Sequence, residues 1–202
     1  LLNAKLGRQA DLTVLPLEDW TRSEAWPRTT LPWIPPSPNI PTLDAAYAYL
    51  AAGVVQATNI SEGRGTTKPF EYIGAPFLEA ATLRAELRAA ALPGVQWRDL
   101  FFRPMFNKYA GETCAGVQLI MHSPREYRPI LTQLHLLRAL ARNAPERFKT
   151  NDGFPVWLDG QSWSTEKLAD LNPEDATREW TPAARDFDVD MSPHRLYPDR
   201  DS

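Results

Sequence analysis

Residues 27–41 read PRTTLPWIPPSPNIP and carry Pro27, Pro32, Pro35, Pro36, Pro38 and Pro41. Each proline lacks an amide hydrogen and biases the residue before it away from helical geometry. No helix and no central strand can run through this stretch. It is expected to be an extended arm wrapped over a surface, with the regular structure lying on either side of it.

Downstream of the arm, helical and strand-like patterns alternate. TLDAAYAYLAAG (42–53) reads as a helix with Thr42 as N-cap and Gly53 as its stop. VVQATNI (54–60) reads as a strand, and PFLEAATLRAELRAAAL (76–92) as a second helix ending at Pro93-Gly94. VQWRDLFFRPMF (95–106) and VQLIMHS (117–123) are strand-like, with NKYAGETCAG (107–116) as the loop between them. A long amphipathic helix is expected over 124–148, with Leu131, Leu134, Leu137 and Leu140 on one face. Shorter helices are expected at 164–171 and 172–187, then a polar tail from Asp188 that frays apart from HRLY. Upstream of the arm, DLTVLPL (11–17) alternates as a strand does. The order of elements predicts an α/β or α+β fold, a mixed sheet flanked by helices.

Bulk properties remove several function classes. The net charge is −3 with a pI near 5.7, and no basic run offers a nucleic-acid surface. No apolar stretch reaches the length of a membrane span. The chain opens on Leu1 in what reads as mid-fold and carries no leader, so a processed chain or a fragment is expected.

The motifs narrow the chemistry further. GRGTTK (63–68) lacks the Gly-x4-Gly-Lys-Ser/Thr spacing of a phosphate loop. His122, His135 and His194 are too scattered to ligate a metal together, so neither a metal nor a cofactor is expected. Cys114 is the single cysteine and reads as a small semi-buried thiol. No Gly-x-Ser-x-Gly elbow is present. What remains is carboxylates beside glycine-rich loops: Glu62 two residues before Arg64, Glu71 after the loop, and Glu112 in the second glycine loop. Two carboxyl groups with arginine, asparagine and aromatic neighbours suit glycoside cleavage. From spacing alone, a loop ion pair that pins a turn is the simpler reading of Glu62–Arg64.

Longer blocks carry a resemblance. PSPNIPT (36–42), TNISEGRGTTKPFEYIGAPF (58–77), LPGV (92–95) and FNKYAGETCAGVQL (106–119), followed by a terminal LY (196–197), resemble in this order the DUF1343 family. That family includes exo-β-N-acetylmuramidases of the NamZ type. The resemblance implies a two-domain protein with an N-terminal Rossmann-like half, a smaller C-terminal domain, and an active cleft between them. It implies removal of terminal MurNAc from peptidoglycan fragments, outside the cell or in its envelope (secreted, periplasmic or at the wall). On this basis residues 1–30 are expected to be the end of the upstream domain with its exit arm, and 31–202 the C-terminal α/β domain. The Rossmann-like half itself is missing, so it or another chain is an expected partner, and 150–195 matches the family poorly.

The resemblance also assigns roles by residue number. Glu62 is the candidate catalytic carboxylate. Arg64 is the candidate partner for the lactyl carboxylate of MurNAc, since an arginine fork grips a carboxylate bidentately. Asn39, Asn59, Thr66, Tyr109, Glu71 and Glu112 are candidate sugar contacts. Each has a local alternative: an Asx-turn for Asn39, a strand end for Asn59, a packed aromatic for Tyr109. The competing functional expectation is a non-catalytic muropeptide-binding component.

Overall fold

The computed structural model describes residues 2–29 and 31–197. Positions 198–202 of the expected polar tail lie outside the described residues. The chain divides into two compact units, one of residues 1–33 with 178–202 and one of residues 34–177.

The larger unit is built on a three-stranded sheet in the order β1-β3-β2, where β1 is Tyr72–Ala75, β2 Val95–Phe102 and β3 Cys114–Met121. Both pairings are antiparallel, with Ile73 opposite Val117 and Trp97 opposite Leu119. The α+β class holds; the sheet is antiparallel throughout, where a mixed one was expected. In an antiparallel ladder directly opposed residues share a face. Ile73, Val117, Leu119 and Trp97 therefore point together into the core, which α2 (Leu43–Ala52), α3 (Ala80–Ala89) and α4 (Pro129–Asn143) complete.

The helices start where local chemistry says they should. Thr42 is the N-cap of α2, and its hydroxyl accepts the Ala45 amide at 3.1 Å. Ala45, Ala48, Ala51 and Ala52 are buried, so α2 packs close to its neighbours. Pro129 opens α4, where a missing amide hydrogen costs nothing. Leu134, Leu136, Leu137 and Leu140 of α4 are fully buried, and so are Ala139 and Ala141. The helix is covered on more than the single expected leucine face because it lies among α2, α3 and α6 (Thr165–Asp170).

Two strand expectations fail. Residues 54–60 form a 3-10 turn over Gly53–Ala57 followed by a single bridge from Thr58 to Thr150. Gly53 sits at φ −57 and continues the helical path instead of stopping it. A short apolar run reads alike as buried strand or buried helix, and here Val54 and Val55 are buried by the tighter helical turn. The stretch 11–17 takes no regular secondary structure, no strand among the described residues pairs with it, and Leu12, Val14 and Leu15 are exposed. Further on, α5 (Phe154–Trp157) was not expected, and α7 (Pro173–Met191) runs past Asp188 into a 3-10 turn over Ser192–His194.

The smaller unit contains α1 (Leu2–Lys5) and a set of tryptophan contacts. Trp20 meets Tyr197 edge-on at 4.7 Å, and the Leu17 amide donates to the Tyr197 hydroxyl at 2.8 Å. Trp26 and Trp33 form a second edge-on pair at 5.8 Å. In the larger unit Ile40, near the end of the proline arm, packs against the core. No helix among the described residues is long and apolar enough to cross a membrane.

Candidate active site

The Gly-Arg-Gly turn is dictated by its backbone. Gly63 and Gly65 lie at φ +78 and +81, which side chains rarely adopt. A Cβ on Gly63 would stand 2.6 Å from the Tyr72 carbonyl, and one on Gly65 would stand 2.5 Å from the Phe106 carbonyl. The Met105 amide donates to the Gly65 carbonyl at 2.8 Å. The glycines therefore let this turn close onto the loop between β2 and β3. The two glycine-rich blocks, distant in sequence, meet here.

Glu62 lies at the junction, with its side chain only 2% exposed. Its Oε2 accepts from Lys108 Nζ at 3.0 Å, and its Oε1 faces Arg64 Nε at 3.5 Å. Arg64 also donates from Nη2 to Gln56 Oε1, and its guanidinium lies over the Phe70 ring at 5.5 Å. Its side chain stays 31% exposed. Glu62 thus sits between two partly exposed cations, Lys108 at 24% and Arg64 at 31%.

Backbone strain gathers at the same place. Among the described residues, five that are not glycine have positive φ, and Phe70, Asn107 and Tyr109 are three of them. Such conformations cost roughly 1–3 kcal/mol each and persist only where surrounding contacts impose them. Phe70 follows the turn and its amide donates to the Glu62 carbonyl at 2.6 Å. Asn107 and Tyr109 flank Lys108.

The other expected site residues divide. Tyr109 is half-buried and its hydroxyl donates to the Asn59 carbonyl at 2.7 Å. Its phenol is pushed above the usual range by burial first, then by Cys114 and Glu112, with Arg147 opposing. Asn59 uses its side chain to tie two segments: Nδ2 donates to the Arg147 carbonyl at 2.7 Å and Oδ1 accepts the Lys149 amide at 2.9 Å. The Thr66 hydroxyl is likewise committed to the turn, donating to the Gly63 carbonyl at 2.6 Å and accepting the Lys68 amide at 3.1 Å. Asn39 is half-buried, with its amide donating to the Ser37 hydroxyl at 3.2 Å. Glu71 is buried in a separate network: Lys68 Nζ donates at 3.2 Å and Gln118 Nε2 at 3.2 Å. Gln118 is held in turn by Arg98 Nε at 2.7 Å, from the strand position opposite. Glu112 is exposed at the surface of its loop. Cys114 is fully buried and its thiol is pushed up to about 11, by desolvation and then by Glu112. No group of three or more metal-binding side chains occurs among the described residues.

A family model described as the C-terminal part of the exo-beta-N-acetylmuramidase NamZ matches residues 47–197, and one for its N-terminal part matches residues 1–44. The chain belongs to the NamZ family. Among NamZ relatives, the peptidoglycan beta-N-acetylmuramidase NamZ of Bacillus subtilis (strain 168) is 40% identical over 169 residues. That match covers 83% of this chain and 41% of the relative, so the chain spans about two fifths of the curated protein's length. Two solved DUF1343 proteins of Bacteroides fragilis NCTC 9343 share the fold at 25% identity. One has a TM-score of 0.78, covering 98% of this chain and 54% of the other; the second has 0.68, covering 96% and 51%.

Two residues in the NamZ-type loops escaped sequence reasoning. Lys108 stands inside the KYAGE block but reads as one more solvated lysine. Gln56 interrupts the apolar run VVQAT, and a polar residue in such a run is the signal that would have singled it out.

Proposed function

We propose that this chain forms the C-terminal portion of a peptidoglycan-directed exo-β-N-acetylmuramidase, with residues 31–202 as its C-terminal domain. Residues 1–30 are then the end of the upstream domain and its exit arm. The carrying observation is the Glu62–Arg64 pair: a buried carboxylate beside an arginine whose side chain stays 31% exposed. Terminal MurNAc presents a lactyl carboxylate, and Arg64 has the charge and the planar donors to take it. Flanked by Arg64 and Lys108, Glu62 is read as a base or a binder.

Glycoside cleavage needs a second group, an acid that protonates the leaving oxygen. Glu71 is tied to Lys68 and Gln118, and Glu112 is open to water. This reading therefore gives the acid to the upstream domain, which also makes that domain a required partner. Tyr109 stands beside Asn59 as the aromatic candidate for the sugar. The substrate class puts the protein outside the cytoplasm, secreted, periplasmic or at the envelope.

The test is release of chromophore from a chromogenic MurNAc glycoside by the intact protein. Turnover with MurNAc at the non-reducing end, and none with GlcNAc there, is expected. MurNAc binding by the intact protein with no release of chromophore would instead make it a muropeptide-binding component without turnover. Neither binding nor release would end both.

A further inference from the structure

Lys108 occupies an unusual position for a lysine. Its Nζ lies 2.9 Å from the Ile60 carbonyl, 3.0 Å from that of Val55, 3.2 Å from that of Gln56 and 3.0 Å from Glu62 Oε2. An ammonium has three hydrogens, and here four acceptors share them. None is left for a ligand. The carbonyls of Val55 and Gln56 end the 3-10 turn over Gly53–Ala57, where the peptide dipoles present their negative end. The loop that carries Lys108 bends through positive φ on both sides of it, at Asn107 (+71) and Tyr109 (+58). Non-glycine residues held this way imply that something is gained from the bend. What the bend accomplishes is delivery of one ammonium to Glu62 and to the end of the turn that holds Gln56, which in turn holds Arg64.

We propose that Lys108 is the positioning residue of this site, fixing the carboxylate of Glu62 and, through the turn that carries Gln56, the guanidinium of Arg64. It acts on substrate only through them. The proposal rests on the reading of Glu62 as the carboxylate that works on the sugar. The charged groups facing Lys108 are Glu62 and Arg64, the first holding its proton on and the second opposing. Desolvation is the largest influence and sets the Lys108 ammonium below the usual lysine range.

A double-mutant cycle in the intact protein tests this. Lys108→Met and Glu62→Gln are each expected to lower kcat on a chromogenic MurNAc glycoside by about 100-fold or more, the scale of one positioned acid–base group. If Lys108 works through Glu62, the double variant is no slower than Glu62→Gln alone. Losses that multiply would make Lys108 a structural lysine and overturn the proposal. The isosteric Glu62→Gln variant gives a second readout that does not depend on Lys108→Met folding. Following the Lys108 side chain by NMR, its titration is expected to move lower still when the carboxylate, which holds its proton on, is removed. An unchanged titration would equally overturn the coupling. If the wild-type protein shows no turnover, the glycosidase reading fails, and the NMR arm still decides whether Glu62 and Lys108 act together.

Discussion

Single residues decide the shape of the Gly-Arg-Gly turn. The glycines could be read as room for a sugar, but Gly65 faces the backbone of Phe106, and its first task is to let two loops meet. Gly65→Ala is expected to cost at least about 1 kcal/mol, because it combines a positive φ with a backbone clash. Thermal unfolding would check it, and an unchanged melting temperature would remove the argument. The ion pair of Glu62 and Arg64 could be read from their spacing; that Glu62 is buried and shared with Lys108 could not, because Lys108 arrives from 46 residues away. Thr66 and Asn59 show the reverse. Their polarity suggested ligand contacts, yet their side chains hold the turn and the segment 147–149.

His135 gives a pH prediction at the same scale. Arginine can only donate, so Arg138 Nη2, 3.0 Å from Nδ1, fixes that nitrogen as acceptor; Nε2–H then donates to Glu174 at 2.9 Å. Burial lowers the His135 ring below its usual 6.5, with Glu174 opposing. The unfolded chain therefore takes up the proton first, and stability falls as pH drops below about 6.5. Melting temperatures at pH 7.5 and pH 5 should show a larger loss for wild type than for His135→Gln. Equal losses would assign the acid sensitivity elsewhere.

At the scale of elements, the helices were the legible part. The Thr42 cap and the apolar spacing of 131–140 announce α2 and α4, since both signals are local. Thr42→Ala should cost about 1 kcal/mol by denaturant unfolding. Leu137→Ala, in the fully buried face of α4, should cost about 2–5 kcal/mol. A loss below 1 kcal/mol for Leu137→Ala would mean that α4 is not the centre of the core. The strands were less legible because pairing is not local. Residues 54–60 have the composition of a strand and fold as a 3-10 turn, while 11–17 alternates correctly yet finds no partner among the described residues.

For the whole molecule, the long specific blocks at 58–77 and 106–119 led to the family, and these are the two segments that the fold brings together. The proposed activity rests on that junction and on a proton donor from beyond this chain. Residues 1–202 alone should therefore not turn over a chromogenic MurNAc glycoside that the intact protein cleaves; full activity from these residues alone would show that the acid lies within them. The most direct test concerns Arg64. In the intact protein, affinity for MurNAc and for GlcNAc would be measured with and without Arg64→Lys. Lysine keeps the charge and loses the fork. A charge-assisted contact of this kind is worth roughly 1.5–3 kcal/mol. The expected result is a loss of about one to two powers of ten for MurNAc, with little change for GlcNAc. Equal losses for the two sugars would contradict a lactyl-carboxylate contact and leave Arg64 as the brace of its own turn.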